Sequence, residues 1–218
     1  MISRLTPTRL LEGVSELTRR DPCLADISSR NGPPPLWERA QGFSTLVHII
    51  LEQQVSLASA KAAFARLAEA ADPLTPESFQ KLSDPQLRQI GFSRQKTRYG
   101  RALARAVMDG SLDLDSLEDL DDPDARAQLM KITGIGRWTA DIYLLMALGR
   151  PDIWPRGDLA LELAIQRVKG LATRPTPDET LAISEPWRPW RAVAARILWH
   201  FYLGERRSAG TGAQPGAP

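Results

Sequence analysis

The sequence predicts an all-α fold, and three observations support that prediction. Apolar residues recur at three- and four-residue spacing along most of the 218-residue chain. Several of these stretches open with Ser or Thr before a proline, which is a helix-start pattern. Alternating β-branched runs are missing, and no Asn-Gly or Asp-Gly turn lies between such runs. We therefore expect helices throughout, arranged as two helical lobes.

The predicted helices follow one another with short breaks. In the N-terminal half they cover residues 5–20, 36–71, 75–82 and 83–90, and the second of these has a break near 53–56. Thr6 and Ser56 are the expected caps of the first helix and of the helix after the break. The prolines of 31–35 stop any helix there. Further along they cover 94–108, 122–132, 137–149, 158–170, 177–185 and 188–204, and the small, polar residues 208–218 are expected to be disordered. We assign 1–43 with 151–207 to one lobe and 44–150 to the other.

Composition excludes several classes of protein. One cysteine, Cys23, allows no internal disulfide, no cysteine-ligated zinc site and no four-cysteine iron–sulfur cluster. The histidines are His48 and His200, and both are expected to pack in the core or at a cleft edge. No apolar run approaches the roughly 20 residues of a membrane span, and the N-terminus is too polar for a secretory signal. A soluble cytoplasmic protein is expected, associated with the nucleoid if the source is bacterial.

The charges are clustered rather than evenly spread. The net charge is +2 and the pI is near 8.9. Residues 94–109 carry five basic side chains against one acidic one, residues 113–124 carry seven acidic ones, and residues 186–207 are basic again. Each cluster fits a solvated helix face, but basic segments separated by one acidic block also fit a groove that meets phosphates.

The most specific stretch is residues 129–141, LMKITGIGRWTAD. A helix is predicted to end at Ile132, a turn to pass through Gly134 and Gly136, and a new helix to begin at about Arg137. Both glycines can take positive φ and leave backbone N–H groups uncovered beside a helix N-terminus, which makes an anion site. A DNA phosphate would fit there without any base-specific contact. A bare glycine turn between helices that binds nothing is the alternative.

This stretch resembles the helix-hairpin-helix of the DNA glycosylase superfamily that adds a Gly/Pro-rich loop and an aspartate. The sequence WPRGDL, residues 154–159, supplies that loop, and Asp158 follows Gly136 by 22 residues. Similar segments at 51–63 and 187–199 point to the alkylation-repair branch, the 3-methyladenine DNA glycosylase II group. The resemblance spans 36–205 and implies a DNA-binding cleft between the two lobes. Because few residues precede it, we expect a compact form without the N-terminal β domain of some members.

The resemblance implies a monofunctional, metal-free glycosylase. Bifunctional members place a lysine two residues after the second hairpin glycine, whereas this chain has Trp138 there and Lys131 before the hairpin. Asp158 is the expected catalytic residue, because an ionised carboxylate stabilises the positive charge that develops on the sugar and can orient the attacking water. An aspartate at a helix start can instead be a simple N-cap, and both roles are compatible.

The resemblance also assigns a base pocket. An alkylated purine carries a positive charge, so aromatic rings would attract it by cation–π contact. Trp138 and Trp199 are the expected walls, with Tyr143 and Trp154 as further contributors. Trp187, Trp190 and Trp199 fit core packing on an amphipathic helix as an alternative.

The expected DNA contacts lie at the hairpin, at a helix junction and on the basic helix. The residues are Gln53, Gln54, Arg94, Lys96, Arg98, Thr133, Gly134, Gly136, Arg137 and Thr139. Gln54 matches the wedge that enters the gap left by a flipped base, and surface polarity is the alternative for the Gln-Gln pair. Asp141 would contact the flipped base or only solvent. No cofactor is expected except a possible monovalent cation at the hairpin carbonyls, and the partner of the monomeric protein is double-stranded DNA.

The function expected from these features is hydrolysis of the N-glycosidic bond of alkylated purines, such as 3-methyladenine and 7-methylguanine, in duplex DNA. The damaged base would be flipped out, and the reaction would serve base excision repair. Two alternatives stay open at this point. One is a non-catalytic helix-hairpin-helix DNA-binding module, and the other is a glycosylase for deaminated or oxidised bases.

Overall fold

Helices are the only regular elements in the part of the chain that the computed structural model describes, residues 4–211 with side chains through Glu205. The predicted all-α class is confirmed. The helices are α1 Pro7–Arg20, α2 Pro22–Asn31, α3 Phe43–Glu52, α4 Leu57–Ala70, α5 Pro76–Lys81, α6 Asp84–Ile90, α7 Arg94–Met108, α8 Asp122–Met130, α9 Arg137–Met146, α10 Leu159–Val168, α11 Pro177–Ser184 and α12 Arg191–Thr211. None of these helices is long and apolar enough to cross a membrane.

Capping side chains determine where many of the helices begin. Thr6, Ser56, Thr75 and Ser83 each accept a hydrogen bond from a backbone N–H three residues later, as an N-cap does. At Thr75 and Ser83 the bond is reciprocal, which completes a capping box. The predicted starts at these positions are therefore confirmed.

Contacts divide the chain into two compact units, and the first comprises residues 38–148. In this unit α3 packs against α4, α7 and α9, while α8 packs along α9. The fully buried side chains Leu46, Ile49 and Ile50 of α3 place that helix at the centre of the unit. The helices that flank the glycine hairpin, α8 and α9, are thus attached to a buried central helix.

The second unit comprises residues 4–37 and 149–211. Helix α12 packs against α1, α2 and α10. A run of small, fully buried residues, 192–195, allows these neighbours to approach α12 closely. On the opposing helices, Leu17 and Leu24 are fully buried. The loop that carries Asp158 leads into α10 of this unit.

Two parts of the N-terminal region differ from the predicted pattern. Residues 22–31 form α2, which the sequence pattern did not predict, and Asp21 accepts from the backbone N–H groups of Cys23 and Leu24. Residues 36–42, predicted to be helical, are not, and α3 starts only at Phe43. Trp37 there adopts a positive φ of 46°, which is incompatible with a right-handed helix.

The unit boundaries also differ from the predicted ones, which lay after residues 43 and 150. Residues 38–42 are attached to the first unit, because Arg39 N–H donates to the Met146 carbonyl at 3.0 Å and Gly42 N–H donates to the Tyr143 hydroxyl at 2.9 Å. At the other boundary, the Gly149 carbonyl accepts from Leu5 N–H in the second unit. Residues 208–211 continue α12 rather than forming a tail, and the rest of the predicted tail, 212–218, lies outside the described residues.

Candidate DNA-binding and catalytic residues

The glycine hairpin joins α8 to α9 in the first unit. Gly134 has a φ of 95°, and a Cβ built on it would overlap the ring of Tyr99. Gly136 has a φ of −86° and nothing within 4 Å of such a Cβ, so only Gly134 uses the positive φ that both glycines allow. Gly136 is the N-cap of α9 and makes no side-chain cap bond. Since it brings no acceptor to the first-turn amides, this end of α9 suits an anion.

Gln53 fastens the hairpin to the end of α3. Its amide nitrogen donates to the Gly134 carbonyl and to the Thr139 hydroxyl, both at 2.9 Å. Thr139 is 2% exposed, so a direct DNA contact by Thr139, expected from the sequence, conflicts with its burial. Gln53 and Thr139 instead hold the turn in shape. Thr133 is exposed at the hairpin, and its expected DNA contact stays a prediction, as does the monovalent cation at the hairpin carbonyls.

Gln54 lies in the tight connection between α3 and α4. Its φ of 57° is left-handed, and its side chain is exposed. Val55 and Leu57 beside it are also exposed, at 47% and 59%. Exposed apolar side chains in a tight connection fit a surface that contacts another molecule. The wedge role of Gln54 stays a prediction. Val55, in the predicted break, and Leu57, at the start of the next predicted helix, were not singled out from the sequence.

The expected phosphate contacts on α7 separate into two groups. Arg94 and Arg98 are exposed. Lys96 is half-buried and its Nζ donates to the Leu51 carbonyl at 2.7 Å, near the C-terminus of α3. Burial lowers the pKa of the Lys96 ammonium. Lys96 therefore serves as a cap on α3, and its expected phosphate contact is not supported by this position.

Asp141 is fully buried behind the hairpin helix rather than facing a base or solvent, which were the two expected positions. Its Oδ1 accepts from the Arg126 Nε at 2.5 Å, which connects α8 and α9. Its Oδ2 lies 3.6 Å from the Nε of Arg137, whose side chain is 46% exposed. Arg137 thus lies at the start of α9, where Asp141 contacts its guanidinium and much of the side chain is exposed. Its DNA contact stays a prediction.

Asp158 caps α10 in the second unit. Its Oδ1 accepts from Leu161 N–H at 3.0 Å and from the indole Nε1 of Trp199 at 3.1 Å. The residue is 9% exposed. Gly157, with a φ of 81°, and a 3.2 Å bond from Asp158 N–H to the Pro155 carbonyl give the preceding turn its shape. The N-cap alternative from the sequence is thus observed, and the catalytic role of Asp158 stays a prediction.

A second carboxyl group lies near Asp158. Glu162, one turn later on α10, is 6% exposed and lies 3.4 Å from the Arg174 Nε. Burial raises the pKa of Glu162, the charge of Arg174 lowers it, and the charge of Asp158 raises it further. Sequence reasoning missed Glu162, although its four-residue spacing from Asp158 along a predicted helix would have indicated it.

The expected aromatic residues have different surroundings. Trp199 is 8% exposed and touches the carboxylate of Asp158, and Trp138 is half-buried on α9 of the first unit. Tyr143 is fully buried with its hydroxyl bound to Gly42 N–H. Trp154 is 3% exposed and packs on Trp187 at 5.6 Å. Tyr143 and Trp154 are therefore core residues, which corrects their expected place in the base pocket.

The core alternative holds for two of the C-terminal tryptophans. Trp187 is 2% exposed and its Nε1 donates to Asp21 at 2.9 Å. Trp190 is 7% exposed and its Nε1 donates to Glu16 at 2.7 Å. Both indoles connect the turn before α12 to the N-terminal helices. Among the described residues, no group of three or more His, Cys, Asp or Glu side chains is arranged to hold a metal ion.

Known proteins resemble this arrangement of helices and hairpin. The family described as HhH-GPD superfamily base excision DNA repair protein matches residues 47–189. YfjP of Bacillus subtilis is 31% identical over 184 residues, 81% of this chain and 64% of YfjP. DNA-3-methyladenine glycosylase 1 of Schizosaccharomyces pombe is 28% identical over 204 residues, 91% of this chain and 88% of that protein. The solved structure of the Schizosaccharomyces pombe glycosylase Mag1 with abasic DNA has a TM-score of 0.82 at 27% identity, covering 86% of this chain and 95% of that chain.

The helical fold and the glycine hairpin define a helix-hairpin-helix protein. The chain belongs to the HhH-GPD superfamily of base excision DNA repair proteins, and the resemblance seen in the sequence is confirmed at that level. The chain spans 64%, 41% and 59% of the lengths of three curated relatives that it matches.

Proposed function

We propose that this protein is a monofunctional DNA glycosylase that releases alkylated purines from duplex DNA as the first step of base excision repair. The observation that carries the proposal is the setting of Asp158. Its carboxylate is held by a helix N-terminus and an indole N–H, with 9% of the residue exposed. Relatives named DNA-3-methyladenine glycosylases support the choice of substrate.

The setting of Asp158 suits the reaction because the bond to be broken leaves a positively charged sugar. A fixed carboxylate stabilises that charge as it forms and can accept a proton from the attacking water. The Leu161 amide and the Trp199 indole both donate to one oxygen, Oδ1, and these two hydrogen bonds fix the orientation of the carboxyl group. The group is therefore oriented before substrate arrives.

The hairpin supplies the grip on DNA in this proposal. Backbone N–H groups at the start of α9 bind a phosphate without reading sequence, so a lesion can be found in any context. The exposed Arg94 and Arg137 add positive charge in the first unit. Gln54 fills the space of the base that leaves the helix, and the cost of unstacking is a few kcal/mol, lowest at damaged sites.

The substrate class follows from charge. 3-Methyladenine and 7-methylguanine are cationic in the nucleoside, so they are good leaving groups and are attracted by electron-rich rings. Trp138 and Trp199 are the proposed aromatic contacts. A lyase step is not proposed, because Trp138 occupies the position where the bifunctional members have the Schiff-base lysine. Hydrolysis of the N-glycosidic bond is proposed to need no cofactor. We propose that the protein acts as a monomer on DNA.

Asp158→Asn tests the proposal directly. Asparagine is as good an N-cap as aspartate, so the helix cap is kept while the charge is removed. We expect release of 3-methyladenine or 7-methylguanine from alkylated duplex DNA, measured in EDTA, to fall at least about 100-fold. Affinity for a duplex that contains an abasic-site analogue should change less than about threefold.

Asp158→Ala is the matched control, because it removes both the charge and the cap. It should show the same loss of base release and also lose about 1 kcal/mol of stability. Base release by Asp158→Asn at the rate of the unsubstituted protein would refute the assigned role. DNA binding without any base release by the unsubstituted protein would instead support the non-catalytic module.

A further inference from the structure

Trp37 belongs to the aromatic cluster around Asp158. It is half-buried at the end of the 4–37 segment, and its ring centroid lies 6.4 Å from that of Trp199 at an interplanar angle of 69°. It also lies 6.3 Å from the His200 ring at 80°. Trp199 in turn donates its indole N–H to Asp158 at 3.1 Å. A single ring thus links Trp37 to the proposed catalytic carboxylate.

The backbone at Trp37 is held in an unusual conformation. Its φ is 46°, in the left-handed region, where a bulky side chain is an outlier. The carbonyl just before it, at Leu36, accepts from the Nε of Arg196 at 2.7 Å. Arg196 is 1% exposed and also donates to the Ala192 carbonyl, so a buried guanidinium fixes this point of the chain. Such outliers persist where the surroundings over-determine them, and they cluster at ligand-binding sites.

Exposure distinguishes the two indoles. Trp199 is 8% exposed, so little of its ring can meet a ligand, whereas Trp37 keeps more accessible surface. In an edge-to-face pair, at least one ring keeps its faces clear of the partner. A ring face carries the negative part of the quadrupole and attracts a cation.

We propose that Trp37 is a specificity-determining residue that stacks on the flipped base while it is still bonded to the sugar, and so favours cationic N-alkylpurines over neutral ones. Nothing in the sequence pattern assigned this role, since Trp37 had been placed inside a helix. The inference rests on the proposed function. Trp199 positions Asp158 and packs edge-to-face with Trp37, and Trp37 provides the larger part of the ring surface that meets the base.

Single-turnover base release tests this assignment. Two duplexes are used, one with 7-methylguanine, which is cationic as the nucleoside, and one with 1,N6-ethenoadenine, an alkylated purine that is neutral. Trp37→Leu should lower the release rate for 7-methylguanine by about 10-fold, which lies in the about two- to thirty-fold range of a cation–π contact. It should lower the release rate for 1,N6-ethenoadenine by less than about twofold. Trp37→Phe keeps a smaller ring, so its release rate for 7-methylguanine should lie between those of Trp37→Leu and the unsubstituted protein.

Trp190→Phe is the matched control, because it also replaces an indole in the second unit but at the contact with Glu16. Its ratio of the two release rates should equal that of the unsubstituted protein. Urea unfolding gives the stability of each variant and so distinguishes loss of the fold from loss of the contact between the ring and the base. If Trp37→Leu is unstable, the release rates of Trp37→Phe decide the test. An equal fall for both bases, or no fall for either, would overturn the role of Trp37. If the unsubstituted protein released neither base, the proposed function itself would fail, and this inference with it.

Discussion

Gly134→Ala perturbs the hairpin at its tightest point. A Cβ at this position would lie 2.5 Å from the Cδ2 of Tyr99 and closer still to two other ring atoms. Ordinary contact begins near 3.4 Å, so the ring or the hairpin must move by about 1 Å, and overpacking of this kind costs about 1–3 kcal/mol. The φ of 95° adds about 1–2 kcal/mol for a residue with a Cβ. We therefore expect a loss of about 2–5 kcal/mol in the free energy of unfolding.

The control is Gly136→Ala in the same turn. Gly136 has a φ of −86° and open space around the Cβ position, so its stability should change by less than about 1 kcal/mol. Urea unfolding followed by tryptophan fluorescence measures both variants, and affinity for an abasic-site duplex gives the second readout. We expect only Gly134→Ala to lose stability sharply, with weaker DNA binding because the turn no longer holds its shape. Equal stability of the two variants would refute the assignment of close packing to Gly134.

Two further predictions concern buried polar contacts. Burial raises the pKa of Asp21, but hydrogen bonds from Lys169 and Trp187 outweigh it and hold the pKa below its ordinary value of 3.8. The stability that this carboxylate adds is therefore present above pH 3.8 and lost as the pH falls through the lower, folded-state pKa. Urea unfolding should show Asp21→Asn about 1–3 kcal/mol less stable at pH 7, with the difference shrinking below pH 4, and a constant difference would contradict this. Gln53→Ala should lose about 1–3 kcal/mol and bind abasic DNA more weakly, whereas Gln54→Ala, altered at an exposed site, should keep its stability within about 0.5 kcal/mol.

Local chemistry made most helices predictable from the sequence. Thr75 and Ser83 each precede a proline in the first turn, and each cap forms where the pattern indicates. The hairpin was predictable for the same reason, since only glycine tolerates the close approach that Gly134 makes to Tyr99. Asp158 was predictable as a cap from its position before α10, and the resemblance supplied its proposed second role.

Tertiary contacts explain what the sequence left out. The apolar spacing continues through Trp37, but the Arg196 side chain, 159 residues later, binds the preceding carbonyl and fixes a non-helical backbone. Lys96 looks like a free cation in the sequence and is in fact bound to the Leu51 carbonyl. Periodicity likewise does not distinguish a pocket wall from a core residue, so the burial of Tyr143 and Trp154 became visible only in the structure.

The most direct test of the account is base release from a panel of duplexes, each with one defined modified base, measured in EDTA under single-turnover conditions. The account predicts that 3-methyladenine and 7-methylguanine appear as free bases with an intact abasic strand, and that oxidised bases stay in place. Tight binding to every duplex with no free base from any of them would contradict the claim that this member of the superfamily is an alkylpurine glycosylase.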